Sequence, residues 1–479
     1  MEELTREDLY TYQDLLEATD KMQFVRNAIV KHENSKEFKI AKDAEEYYKH
    51  KNVTITNYQK LLYTITGKVV PDNYNANYKM ASKFFYRFVT QENQYLLGKG
   101  AVWEKDSTGK NLGDDFDNKL QKIGRYSLVE GVGFGFWNLD HIEVFPFTEF
   151  APLYDEQTGA LRAGVRYWQI SKNKPLRATL YEEDGYTEYV WDSRISAYDE
   201  GNVLKEKTAY VIHTESTEAD GTTLVYGENY PSFPIVPLYG NDSHQSEFVG
   251  LREQIDCYDL IKSGFANTVD EASIIYWTLQ NAGGMDDVDL AKFVERLKTI
   301  HAVNVDDDVT VEPHTLEPSY QAREALLDRL RADLYEDAMA LDTKALASGG
   351  SVVTAVIKAA YEPLDSKCNE YEYQVKEFIK GILALAGIED NVTFTRSKII
   401  NSQEEISTVV SAAQYLDSEY ITRKILNILG DGDQADEILK RMDEEDIGRL
   451  TKGTEDQNPG ETPDTSGEGN GEAPEGIPE

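Results

Sequence analysis

The stretch Gly131-Val-Gly-Phe-Gly135 has the residue types of a phosphate cradle. A dinucleotide fingerprint needs a strand before the glycines and a helix opening on the last of them. Here Phe136-Trp-Asn-Leu and Ile142-Glu-Val-Phe follow, so the pattern predicts a strand or a close-packed hairpin. The Gly-Lys pairs at Gly67, Gly98 and Gly109 lack a following Ser or Thr, which excludes the phosphate loop of an ATPase. Asp286-Asp287 and Asp306-Asp-Asp308 carry the groups of acid–base chemistry, but no His or Lys pairs with them at a workable spacing. Such charge runs read as solvated faces. Seven histidines show no metal-ligand spacing, and neither Cys257 nor Cys368 has a near partner. Asp431-Gly-Asp433-Gln-Ala-Asp436 lacks the glutamate that ends a calcium loop and reads as a turn between helices. The pattern therefore predicts no catalytic pair, no metal and no cofactor.

The elements that would position any site follow from periodicity. Residues 1–35 read as helical, with Leu15, Met22, Val25 and Ile29 on one face, and a second helix covers 36–50. A longer helix is expected from Asn75 to Leu97, stopped by Gly98-Lys99-Gly100. From 101 to about 240 the period becomes two, which predicts an antiparallel β-rich stretch. Beyond the prolines of Pro231-Ser-Phe-Pro-Ile-Val-Pro237, residues 246–273 form a long amphipathic helix with Ser246 as its N-cap. Residues 274–315 are mixed strand and short helix. A second long helix spans 319–345 and ends in Ala347-Ser-Gly-Gly-Ser. A third covers about 352–386, with Pro363 expected to kink it. A strand at 391–400 and short helices opened by Ser402-Gln-Glu-Glu405 complete the ordered chain. Residues 447–479 read as an acidic, disordered tail.

Charge and composition narrow the function. The chain has 479 residues, 49 Lys plus Arg against 86 Asp plus Glu, and a formal charge of -37. Eight of the acids lie beyond Lys452 with no base among them, which leaves -29 for residues 1–452. A chain this acidic should not wrap tightly on nucleic acid, because phosphates are neutralised by Lys and Arg. Two cysteines fit a reducing compartment, the start has no secretory pattern, and no window approaches the ~18 apolar residues of a membrane span. Two long amphipathic helices present more apolar face than they can bury alone. Copies of the same chain would cover it, and a repeated heterologous contact with closing rotation gives a ring. The small residues at 346–353 would let many copies crowd near the axis.

Several stretches together resemble the portal proteins of tailed bacteriophages, the family found in long-tailed phages of Gram-positive hosts. They are Ala44-Glu-Glu-Tyr-Tyr-Lys-His-Lys-Asn52, Tyr74-Asn-Ala-Asn77, Phe84 through Lys99, and Gly131–Gly135 with Phe145-Pro-Phe-Thr-Glu-Phe-Ala-Pro-Leu-Tyr-Asp155. Pro231–Pro237, Asn241, and Leu251–Asp259 through Ala266-Asn-Thr-Val-Asp270 complete the set, which covers roughly residues 30–400. Where relatives carry Ser-Gly-x-Ala-x-Lys, this chain has Ser348-Gly-Gly-Ser-Val-Val-Thr-Ala-Val-Ile-Lys358.

The resemblance implies an α+β portal architecture: β-rich wing, long-helix stem, small α/β clip and helical crown, assembled as a ring usually of twelve subunits at one capsid vertex. By position, 1–245 would be N-terminal helices and wing, and 246–273 and 316–345 the stem. The clip would be 274–315, the tunnel loop 346–353, the kinked helix and return strand 354–401, and the crown 402–446. The tunnel loop, Leu346, Ala347, Ser348, Gly349, Gly350, Ser351, Val352 and Val353, is the expected narrowest DNA contact. Lys262, Arg323, Arg329, Arg331 and Lys344 are candidates for phosphate contacts, or for ion pairs with Asp259, Asp328, Asp333 or Glu336. Met285, Asp286, Asp287, Asp306, Asp307 and Asp308 in the clip would dock the terminase motor and later the head–tail adaptor. The implied partners are other copies of the chain, double-stranded DNA in transit, major capsid and scaffolding proteins, and no membrane. The implied location is the virion, with assembly in the host cytoplasm. The alternatives are a monomeric head–tail connector and a hydrolase with an acidic site in 101–240.

Overall fold

The computed structural model describes residues 9–63, 68–72, 76–192, 201–217, 223–272, 276–280, 310–314, 320–344, 354–397, 402–430 and 432–442, with Val288, Lys292, Phe293 and Glu295 between them. By internal contacts it divides into two compact units, residues 1–350 with 358–398, and residues 351–357 with 399–479.

The first unit opens on α1 (Tyr12–Glu17), α2 (Lys21–Asn34) and α3 (Lys36–Tyr48), with side-chain caps from Thr11, Asp20 and Ser35. Ser35 both ends α2 and starts α3: its hydroxyl donates to His32 O and accepts from Phe38 N. A short α4 (Val53–Asn57) and a hairpin of β1 (Leu61–Tyr63) and β2 (Val69–Pro71) follow. The helix expected from Asn75 begins only at Phe84, as α5 (Phe84–Leu97).

Next come β3 (Ala101–Trp103), α6 (Asp106–Asn111) and α7 (Phe116–Glu130). The period-two reading of residues 101–240 therefore fails over its first thirty or so residues. Phe116, Leu120, Ile123 and Ser127 are buried along one face of α7, and Gly131 ends it at φ +90°, a left-handed cap that glycine adopts without strain.

From Val132 the strands are as expected. Gly131–Gly135 leads into β4 (Val132–Asn138), which forms a hairpin with β5 (His141–Pro146). Then β6 (Phe150–Tyr154), β7 (Leu161–Trp168), β8 (Leu176–Glu182), β9 (Gly185–Trp191) and β10 (Gly201–Thr208) make an antiparallel meander ordered β10-β9-β8-β7-β6. A β11 (Val211–Thr217) and β12 (Thr223–Glu228) pair stands beside it, and β13 (Ile235–Tyr239) joins β4 to complete a three-stranded sheet. One face of the meander packs Ala151, Leu153, Val165, Leu180 and Tyr189 against Leu15, Val25 and Ile29 of the first two helices. A second core is nearly all aromatic: Phe134, Phe136, Phe145, Phe147, Phe150, Tyr181 and Tyr210.

The long helices follow: α8 (Arg252–Ala272), α9 (Tyr320–Asp337) and α10 (Thr354–Ala386), with a strand pair, β14 (Tyr276–Gln280) and β15 (Thr310–His314), between the first two. Ser246 does not cap α8; its hydroxyl donates to Val129 O and accepts from Phe248 N, organising the turn before the helix. The second long helix stops at Asp337, short of the expected 345, and Met339 follows at φ +52°. Pro363 lies inside α10, which continues past it. Leu364, Cys368, Tyr371, Val375, Phe378 and Ile382 form one fully buried stripe against α5 and α7. The return strand is short, β16 (Val392–Phe394), and pairs with β3. In the second unit, α11 (Ser402–Ser411) starts at the expected serine, and α12 (Ser418–Leu429) ends on Gly430 at φ +93°. The acidic tail lies outside the described residues.

Close approach of β4 to two helices explains its glycines. A Cβ at Gly135 would stand 2.6 Å from Phe378 Cζ, and one at Gly133 2.9 Å from Ile123 O. Gly135→Ala is expected to cost about 1–3 kcal/mol in urea unfolding through overpacking. Gly264→Ala, in a helix with nothing within 4 Å of its would-be Cβ, should leave stability unchanged or raise it by up to about 1 kcal/mol. Equal effects at the two positions would show that Phe378 yields freely.

Candidate functional site

The residues that matter gather on α8, α9 and the start of the buried half of α10. The two former helices run antiparallel: Arg323 Nη1 donates to Thr268 Oγ1 at 2.8 Å near one end, and Gln254 Nε2 donates to Asp337 Oδ2 near the other. Phe265 meets Tyr320 edge-on, with ring centroids 5.7 Å apart.

Opposite this seam, α8 carries a polar stripe. Asp259, Ser263 and Asn267 are buried and stand four residues apart. Ser82 N–H donates to Asp259 Oδ1 at 2.9 Å, Met80 N–H to Ser263 Oγ at 3.0 Å and Tyr78 N–H to Asn267 Oδ1 at 2.7 Å. Four residues of helix rise about 6 Å and two residues of extended chain about 6.6 Å, so every second backbone N–H meets every fourth side chain. This pairing diverts residues 78–82 from the expected helix. Asn52 Nδ2 also donates to Asp259, and Tyr47 and Thr54 hydroxyls donate to Asp256. Burial pushes the Asp259 carboxyl up, and its hydrogen bonds to Asn52 and Ser82 pull it back.

The five basic residues predicted to contact phosphate each have a local partner. Lys262 Nζ lies 5.9 Å from the Tyr258 ring centroid. Besides its bond to Thr268, Arg323 stands 6.0 Å from the Phe265 ring. Arg329 pairs with Asp333 at 2.8 Å on an exposed face. Arg331 grips Asp342 through both terminal nitrogens at 2.7 Å and stacks over Tyr335. That bidentate bond holds the Arg331 guanidinium above its usual range. At Lys344 it is the backbone N–H, not the ammonium, that donates to Asp342 Oδ1, at 2.9 Å. Leu346 to Val353 lie outside the described residues, as do Met285, Asp286, Asp287, Asp306, Asp307 and Asp308.

A further group was not singled out from the sequence. Lys367 Nζ on α10 lies 2.8 Å from Glu92 Oε2 on α5 and 2.6 Å from Glu247 Oε2, just before α8. It also donates to Ala338 O, just after α9, at 3.3 Å. The signal was present: Glu92 interrupts the apolar series Phe85, Phe88, Val89, Tyr95, Leu96, and a charge inside a buried stripe requires a buried partner. One turn away, Arg396 joins Asp365 at 2.8 Å and Glu372 at 3.0 Å, so α10 is also tied to the chain that follows β16.

Residues 27–448 match the family described as Phage portal protein, SPP1 Gp6-like. The chain belongs to this family. The match takes in every described element from within α2 to the second unit. The chain is 23% identical over 396 residues to the portal protein of Bacillus phage SPP1, covering 76% of this chain and 75% of that one. It is 27% identical over 206 residues to the portal protein of Clostridium phage phiCD119, covering 40% and 45%. Among solved structures, it is similar to a chain in the neck of an empty GTA particle computed with C6 symmetry, with TM-score 0.44 and 9% identity over 72% of this chain and 90% of that one. A chain in the neck of a native GTA particle computed with C12 symmetry gives TM-score 0.42 and 10% identity over 71% and 89%.

Removing the acid of the α8 stripe strands the buried Ser82 N–H and takes one of two acceptors from Asn52 Nδ2, which still reaches Ser82 O. Asp259→Ala is therefore expected to lower unfolding free energy by about 1–3 kcal/mol, with Asp259→Asn retaining part of it. Hydrogen exchange at Ser82 reads the same loss locally. An unchanged Ser82 protection in Asp259→Ala would remove the stripe as the cause of the local structure.

Proposed function

We propose that copies of this chain close into a ring that forms the DNA channel at one vertex of a phage capsid. The family match across residues 27–448 carries this reading. The antiparallel α8 and α9 serve as the stem, and residues 274–315 between them as the clip. Residues 346–353, between α9 and α10, serve as the tunnel loop, the meander and its neighbours as the wing, and residues 402–446 as the crown. The ring is structural and non-enzymatic. Terminase, docked at the clip through Met285, Asp286, Asp287, Asp306, Asp307 and Asp308, supplies ATP-driven translocation during packaging. The head–tail adaptor later takes its place, and the duplex leaves by the same channel at ejection. Capsid and scaffolding proteins receive the ring during assembly in the host cytoplasm, and the finished ring belongs to the virion.

The charge of -37 favours a channel that holds DNA loosely. Acidic walls repel phosphate and allow sliding, while a few cations keep the duplex on axis. The local pairing of Arg323, Arg329 and Arg331 agrees with few cations being free for phosphate.

Negative-stain electron microscopy of the purified chain should show rings with a central hole, and a strict monomer at high concentration would overturn the ring. Deleting Gly349 and Gly350 should leave rings intact while reducing packaged or retained DNA severalfold. Packaging at the level of the unaltered protein would remove the loop from the mechanism.

A further inference from the structure

Lys367, Glu92 and Glu247 bring two carboxylates to one ammonium in the interior. Their side chains are 15%, 3% and 18% exposed. With all three ionised, the cluster carries one uncompensated negative charge, which is expensive where water is excluded. Among the described residues, the neighbouring groups offer no second cation. Glu370 adds another acid, Cys368 and Tyr371 are neutral and buried, and Arg396 is held by Asp365 and Glu372. Asn241 Nδ2 donates to Glu247 Oε1 at 3.0 Å, a neutral bond that leaves the balance unchanged.

We infer that Glu92, Glu247 and Lys367 form a binding site for a single exchangeable proton, placed where α5, the lead-in to α8, the end of α9 and the buried half of α10 meet. When the proton is bound, one carboxylate and one ammonium remain and the site is neutral. When it leaves, the surplus charge loosens the four-way joint, in which Lys367 also holds Ala338 O. Burial, opposed by Lys367 and reinforced by Glu247, pushes the Glu92 carboxyl up to about 7. Burial works against the Lys367 ammonium, but Glu92 and Glu247 outweigh it and hold its pKa above the usual amine range, so the exchangeable proton is not the ammonium's.

The sign follows from Glu92 binding its proton more tightly folded than unfolded. The added stability is complete below an ordinary glutamate pKa of about 4.5 and is lost as pH rises through about 7. Glu130, a second buried carboxyl pushed to about 8, titrates in an overlapping range, so the measurement is made in a Glu130→Gln background.

The experiment is an infrared titration of the full chain between pH 5 and 9, following the carbonyl band of protonated buried carboxyls. In the Glu130→Gln chain a band equivalent to one carboxyl should disappear with a midpoint near neutrality, and adding Glu92→Gln should abolish that step. Should Glu92→Gln fail to fold, Glu247→Gln serves instead: it also removes the surplus acid, and the neutral step should vanish. The unfolding constant of the Glu130→Gln chain should rise with pH by on the order of a hundredfold relative to the Glu92→Gln double variant between the two plateaus. Hydrogen exchange at Met339 to Leu341, normalised for pH, should rise in parallel. A band that persists unchanged in both variants, or a midpoint in the ordinary glutamate range, overturns the inference. The result is independent of whether the chain forms rings.

Discussion

A helix can take an irregular segment against its side only if the hydrogen-bonding groups of that segment find partners as water leaves. The stripe of Asp259, Ser263 and Asn267 meets this requirement for residues 78–82. With the segment fixed, α5 starts at Phe84, where Phe84, Phe85 and Phe88 turn into the core shared with α7 and α10. The same end of α8 is held by Asp256, which takes hydroxyls from Tyr47 and Thr54, and by Arg252, which reaches Asp43 at 2.8 Å. One long helix thus carries an apolar seam toward α9 and a polar one toward the N-terminal segment.

Charge is distributed by the same logic. Buried or half-buried cations are drawn inward by acids: Arg331 by Asp342, Arg396 by Asp365 and Glu372, Lys367 by Glu92 and Glu247. Glu182, 8% exposed, takes both Lys21 at 2.6 Å and Lys207 at 3.1 Å, tying α2 to the meander. These clusters hold cations and acids in nearly equal number, so the rest of the chain keeps the acidic balance of the composition, which disfavours tight binding of a polyanion.

What was legible in the sequence followed regular periods. The strands from Val132 to Trp191, the long helices and the helical opening at Ser402 repeat their apolar residues every two or every three to four positions. What was missed depended on partners distant in the chain. Residues 76–83 have the composition of a helix start, and only a stripe nearly two hundred positions away removes them from it. Helix α7 was absorbed into the β-rich reading because Phe116, Leu120 and Ile123 precede a much stronger alternating run. The buried triad was not legible as a unit: Glu92 stands inside an apolar series, but its partners Lys367 and Glu247 come from separate elements that its spacing does not name. Lys262, Arg323, Arg329 and Arg331 lie on the long helices as expected, whereas Lys344 lies beyond the end of α9, and whether a guanidinium faces solvent or a carboxylate depends on packing that spacing does not encode.

The glycine run that first suggested phosphate chemistry has a different physical role. Gly133 lets β4 approach α7 at Ile123, and Gly135 lets it touch Phe378 of α10, with Gly381 of the same helix admitting Val236 of β13. Two missing side chains, at Gly135 and Gly381, therefore set the distance between a three-stranded sheet and the buried half of α10, and a third, at Gly133, sets the distance from that sheet to α7. That half of the helix also carries Lys367, which reaches toward the ends of both other long helices. Interiors packed this closely transmit displacement instead of absorbing it. A shift of α10 would be resisted at its sheet-facing side by backbone-to-ring contact and at its other side by buried charge. The second resistance depends on protonation and the first does not, so any adjustment at the start of this helix is governed at the charged joint.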